Sequence, residues 1–126
     1  MADTETKYFT RAEAQKTLPL VKQIIRDILN NAFQVRTIAE SLGGKIEGNE
    51  EVSKLAGEID LYINELREIG CYYKDWSFDI GLVDFPAIIN GEEVELCWRS
   101  DEAQILYYHK ADEGFAGRKL IPEEYL

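Results

Sequence analysis

Asn90 and Gly91 stand between two β-rich runs, and no other local signal in the chain constrains the fold as tightly. A type I′ turn needs positive φ at both central residues, and asparagine followed by glycine tolerates this best. A two-residue loop fixes the pairing of everything outward from it. Ile89 opposes Glu92, Ala87 opposes Val94, Phe85 opposes Leu96 and Val83 opposes Trp98 on one face, which is apolar. The other face pairs Ile88 with Glu93, Pro86 with Glu95, Asp84 with Cys97 and Leu82 with Arg99, and is mixed. Pro86 donates no ladder bond, so its strand reads as an edge or bulged strand.

A turn at residues 100–103 returns the chain as residues 104–110. A symmetric turn there sets Trp98 opposite Ile105, Leu96 opposite Tyr107 and Val94 opposite His109, which places Trp98, Tyr107 and His109 on the core face. Short strands at residues 72–74 and 119–121 are weaker expectations, and Trp76 falls in a loop.

Ahead of the sheet the apolar period is helical. Thr10 and Glu13 have capping-box spacing, in which hydroxyl and carboxylate each satisfy an otherwise unpaired backbone amide. From there Ala14, Leu18, Val21, Ile25, Ile28, Ala32, Val35, Ala39 and Leu42 alternate steps of four and three, a continuous seam that Ile24, Leu29, Phe33 and Ile38 widen into a stripe. Pro19 lacks an amide and crowds the preceding turn, so residues 10–18 read as a separate or kinked segment. Gly43-Gly44 ends the helix. A second helix follows through Val52, Leu55, Ile59, Tyr62, Leu66 and Ile69, with Gly70 as its stop.

The fold expected is α+β: one domain over residues 1–126, with an antiparallel helical hairpin at 10–69 packed on a small antiparallel meander and C-terminal loop at 70–126. The first helix would run about 36 Å from Pro19 to Leu42 at 1.5 Å per residue, more than one small sheet covers. A homodimer pairing two hairpins into a four-helix bundle is the expected solution, and a sheet folded back over both helices is the alternative.

Composition narrows the function classes. Lysine and arginine number 14 against 24 acids, a net charge of −10, the wrong sign for neutralising phosphates, so nucleic acid is excluded as an expected partner. Residues 1–45 hold seven basic and five acidic side chains and residues 46–126 hold seven and nineteen, so the acidity belongs to the second helix and the sheet. The N-terminus from Met1 to Tyr8 has no apolar leader segment and no run is long enough to span a membrane, which points to a cytoplasmic protein. Cys71 and Cys97 are the only cysteines and read as free thiols, too few for a four-cysteine zinc site.

No phosphate loop, dinucleotide turn, His-Glu-x-x-His or Gly-x-Ser-x-Gly motif is present. Reactive types concentrate at His109, Asp112, Glu113 and Arg118, and Asp84 is placed to add a ligand from the sheet. An imidazole with carboxylates forms a hard-metal or general-base set, so His109, Asp112 and Glu113 are the candidate divalent-metal ligands; no other cofactor is indicated. Arg118 is expected to fork onto Asp112 or Glu113, because a guanidinium matches carboxylate geometry. Asp84 and Arg99 are diagonal neighbours expected to form an ion pair, with an anion pocket beside Cys97 as the functional alternative.

The chain resembles a family of small bacterial proteins catalogued as domain of unknown function 2203. The resemblance rests on Phe9-Thr10 with Glu13-Ala14 and Leu18-Pro19, Gly70 with Lys74-Asp75, the run Gly81 to Pro86, Leu96-Cys97-Trp98-Arg99, and His109 followed by Asp112 to Arg118. Asp101 and Tyr108 depart from the pattern, which more often has glycine and tryptophan there. The resemblance implies no activity; it marks Asp84, Arg99, Glu102, His109, Glu113 and Arg118 as residues of its signature blocks. The leading functional expectation is a non-enzymatic homodimeric binding or scaffold protein with a protein or small-molecule partner. The alternative is a metal- or anion-dependent enzyme using Asp84, His109, Asp112 and Glu113.

Overall fold

Thr10 and Glu13 form the capping box their spacing predicts: the Glu13 amide donates to Thr10 Oγ1 at 3.1 Å and the Thr10 amide donates to Glu13 Oε1 at 2.9 Å. The computed structural model describes residues 6–126; residues 1–5, part of the N-terminus read above as leaderless, lie outside them. The helix so started, α1, runs Arg11–Ser41 without a break. The separate segment expected before Pro19 does not form. Pro19 is exposed, so the Gln15 carbonyl that loses its amide partner can turn to water.

Asn49 caps α2, Glu50–Ile69, by accepting from the Val52 amide at 2.9 Å, and Gly70 ends it in the left-handed conformation. Buried Asn31 bridges the two helices, donating to the Leu55 carbonyl at 3.2 Å and to Glu58 Oε1 at 2.9 Å. A buried amide with both bonds made sets the relative height of the helices.

The sheet is an antiparallel meander in the order β1 (Tyr72–Tyr73), β2 (Leu82–Ile89), β3 (Glu92–Arg99), β4 (Tyr107–Lys110), β5 (Lys119–Leu120). Asn90 and Gly91 have φ of 53° and 77°, and the β2–β3 register is the one the turn dictates, from Ile89↔Glu92 to Leu82↔Arg99. The inner face of this hairpin, Val83, Phe85, Ala87, Val94, Leu96 and Trp98, is buried with Leu18, Val21, Ile25 and Ile28 of α1. Each such aliphatic side chain contributes about 1.5–3 kcal/mol on burial. Gly81 lies against Ile25, and a Cβ there would overlap Ile25 Cγ2, which is why the chain enters β2 through glycine. The buried positions of α1 end at Ala32, so α2 and the sheet together cover about the first two-thirds of its stripe. No helix among the described residues is long and apolar enough to cross a membrane.

The third strand departs from expectation. Val94 faces Lys110, Glu95 faces His109, Leu96 faces Tyr108 and Cys97 faces Tyr107, one residue out of the register a symmetric turn would give. The connection is the whole of residues 100–106. Trp98 Nε1 donates to the Glu102 carbonyl at 2.9 Å, and Ile105 is drawn into the core, where its amide donates to Gln15 Oε1 at 3.0 Å and its carbonyl accepts from Arg11 Nε at 2.9 Å. These long-range bonds to α1 set the return, and a one-residue slip reverses every side chain that follows. His109 and Tyr107 therefore leave the core face; Trp98 stays on it, and Trp76 is exposed in its loop.

Candidate functional site

The slip carries His109 to the mixed face of the sheet, where the β2–β3 register already sets Asp84 opposite Cys97. Asp84 and His109 are 4% and 3% exposed, and His109 Nε2 lies 3.0 Å from Asp84 Oδ2. His109 Nδ1 lies 2.7 Å from the Lys110 carbonyl, which only accepts, so Nδ1 carries a proton and Nε2 faces the carboxylate. An imidazole lone pair and a carboxylate lone pair repel at that distance unless a positive charge lies between them. A shared proton supplies it, and Asp84 with His109 is an ion pair or its neutral counterpart.

Two further groups join them. Cys97 stands opposite Asp84 on the neighbouring strand, and one ligand atom from each of Asp84, Cys97 and His109 lies within 4.8 Å of the others. Glu95, directly opposite His109, has a buried Oε1 without a hydrogen-bond partner. Burial pushes the Asp84 carboxyl above its usual range despite the pull of His109, and burial together with the charge of Asp84 does the same to Glu95. Burial lifts the Cys97 thiol to about 12, with Asp84 adding to the effect, so it is no free nucleophile.

The four groups line a cavity of about 240 Å³, with Lys74 at its side and Ala111, Gly114 and Phe115 of the C-terminal loop across it. Arg118 fastens that loop. Its guanidinium donates to Glu102 Oε1 at 2.6 Å and to the Cys97 carbonyl at 3.1 Å, and lies 4.1 Å from the Tyr107 ring centre and 4.7 Å from that of Phe115. A larger cavity of about 410 Å³, lined by Phe9, Ile89, Leu96, Ile121 and Tyr125 among others, gathers no comparable set of reactive groups.

Several pairings expected from sequence are replaced. Arg99 pairs with Asp101 at 2.7 and 2.8 Å, two residues along its own turn, and Asp84 turns to His109. Arg118 chooses Glu102 over Asp112 and Glu113, because the loop turns the guanidinium back across the sheet. Asp112 is exposed, and Glu113 accepts from the Lys110 amide at 3.0 Å and lies 3.8 Å from Lys119. Asp112 and Glu113 are thus not gathered with His109; among the described residues, Asp84 and Cys97 are the groups that come together with it. Glu95 and Lys74 were absent from the sequence candidates. Glu95 was legible on the mixed face beside Asp84, but only the true β4 register brings His109 to it.

The chain belongs to the family described as uncharacterized conserved protein DUF2203, whose profile matches residues 7–121. Comparison with curated proteins and with solved structures finds no match.

Proposed function

We propose that the protein works through this outer-face cavity as a binding or catalytic domain for a small, positively charged or proton-donating ligand. The observation that carries the reading is the convergence of Asp84, Glu95, Cys97 and His109 under the Arg118-fastened loop, with one carboxylate oxygen left without a partner. A buried polar set costs stability unless every member is satisfied, so a group left open inside a cavity marks a place for a ligand. Buried carboxyls beside an imidazole are also the groups of acid–base and metal-assisted chemistry. The reading is the enzyme-class alternative raised by the sequence, now on a different donor set. At about 240 Å³ the cavity is smaller than sites for drug-sized molecules, and its two carboxyls disfavour anions.

The test is a nuclear magnetic resonance titration in chelator-containing buffer with small amines, guanidines, hydroxyl compounds and carboxylic acids. Cationic and hydroxyl members are expected to shift the amides of Asp84, Glu95, Cys97 and His109. If those amides stay unmoved by the panel and also by divalent metal ions added without chelator, or if only the acids act there, the reading is overturned.

A second reading, the homodimer of paired helical hairpins, rests on apolar side chains outside the fold, with Phe33 63% and Leu61 65% exposed on the two helices. Light scattering is expected to give twice the 14.5 kDa chain mass, and Phe33→Glu with Leu61→Glu to return it to one. A wild-type monomer at micromolar concentration sinks it.

A further inference from the structure

We infer that the ligand of the outer-face cavity is a divalent transition-metal ion of the zinc class, bound by an Asp84 carboxylate oxygen, Cys97 Sγ and His109 Nε2. The inference rests on the reading that the cavity takes a positively charged ligand, and it names that ligand. Three features of the site support it.

The donors come first. Nitrogen, sulfur and oxygen together suit a borderline ion; hard magnesium and calcium prefer oxygen alone. Geometry comes second. Zinc bonds of about 2.0–2.3 Å hold tetrahedral ligand atoms roughly 3.3–3.8 Å apart. Asp84 Oδ2 and His109 Nε2 are 3.0 Å apart, and the three ligand atoms lie within 4.8 Å of one another, so the present separations bracket what an ion needs. The ion replaces the proton that Asp84 and His109 share and the proton of the Cys97 thiol, and both protons pass to solvent.

Orientation is the third feature. His109 Nδ1 is held by the Lys110 carbonyl at 2.7 Å, which fixes the tautomer and turns Nε2 toward the donors, the outer-shell arrangement typical of metal-binding histidines. Three protein ligands leave a fourth position for water or substrate, as in catalytic rather than structural zinc sites. The three donors line one cavity, and Glu95 lines it too without being a member of the three. Glu95 Oε1, buried without a partner, is there to accept from a metal-bound water.

The experiment uses the full chain, freed of metal with a chelator and titrated with Co²⁺, then Zn²⁺. One equivalent of Co²⁺ is expected to give tetrahedral visible absorption with a near-ultraviolet sulfur-to-cobalt band, and Zn²⁺ to remove both. Cys97→Ala is expected to abolish the sulfur band, and Cys71→Ala to keep it, since Cys71 is fully buried apart from the set. His109→Gln is expected to weaken Co²⁺ binding by at least about tenfold, and Glu95→Gln to leave stoichiometry unchanged. Should His109→Gln fail to fold by circular dichroism, Cys97→Ala decides, because it removes one sulfur and spares the Asp84–His109 pair. Absence of a sulfur band, or its persistence in Cys97→Ala, overturns the inference. If neither Co²⁺ nor Zn²⁺ binds but the metal-free protein binds organic cations in the cavity, the ion is wrong and the broader reading stands; if it binds neither metal nor organic cation, both fall.

Discussion

In metal-free protein, His109→Ala is expected to lower the unfolding free energy by about 3–5 kcal/mol, because it strands the Asp84 carboxylate in a site where that residue is 4% exposed. Asp84→Ala should cost less, about 1–3 kcal/mol, since it leaves only an imidazole nitrogen without its partner. The double variant should fall short of the summed single losses by about 1–3 kcal/mol, as residues sharing one bond are not additive. Urea unfolding followed by circular dichroism, with chelator present, gives all three values. Strict additivity would show that the 3.0 Å contact contributes no coupling and would remove the physical basis of the site.

Trp98→Ala should be comparably damaging, at about 3–5 kcal/mol, through the cavity left by an indole that is 1% exposed on the inner face, near the open end of the β2–β3 hairpin. A second consequence separates it from an ordinary core deletion. The indole N–H donates to the Glu102 carbonyl, and the Glu102 carboxylate in turn accepts from the Arg99 amide and from Arg118, so one aromatic ring anchors both the β3–β4 connection and the loop across the functional cavity. Trp98→Phe, which keeps most of the volume but leaves the carbonyl without its partner, should cost about 1–3 kcal/mol. Hydrogen exchange should then quicken at residues 100–106 and at Arg118, while the β2–β3 ladder stays protected. Equal protection of both regions in Trp98→Phe would refute the anchoring role.

These two predictions meet at the part of the molecule that was hardest to read from sequence. Elements closed by neighbours in the chain were legible: the Thr10–Glu13 box, the Gly70 helix end, the Asn90-Gly91 turn and the eight-residue β2–β3 register. Each depends on residues a few positions apart, or on counting outward from a turn whose length is known. Three of the four groups of the site were visible by the same route, since the register sets Asp84 opposite Cys97 and places Glu95 on their face.

His109 was not legible, because the length of its turn is set by partners far away in the chain. Gln15 and Arg11, on the first helix, bind the amide and carbonyl of Ile105 and draw that residue into the core, which lengthens the connection and shifts β4 by one position. Strand side chains alternate with a period of two, so that single step moves the only histidine from the core face to the carboxylates on the other side. The same holds for the ion pairs. Charge and spacing offered Arg118 several carboxylates, and only the path of the C-terminal loop selected Glu102. Sequence alone determined the two helices, the hairpin and the apolar face on which they meet, because caps, periodicity and turn chemistry are local. Tertiary structure alone decided that His109 joins Asp84, Glu95 and Cys97 around one cavity, because its place depends on contacts between the first helix and the β3–β4 connection.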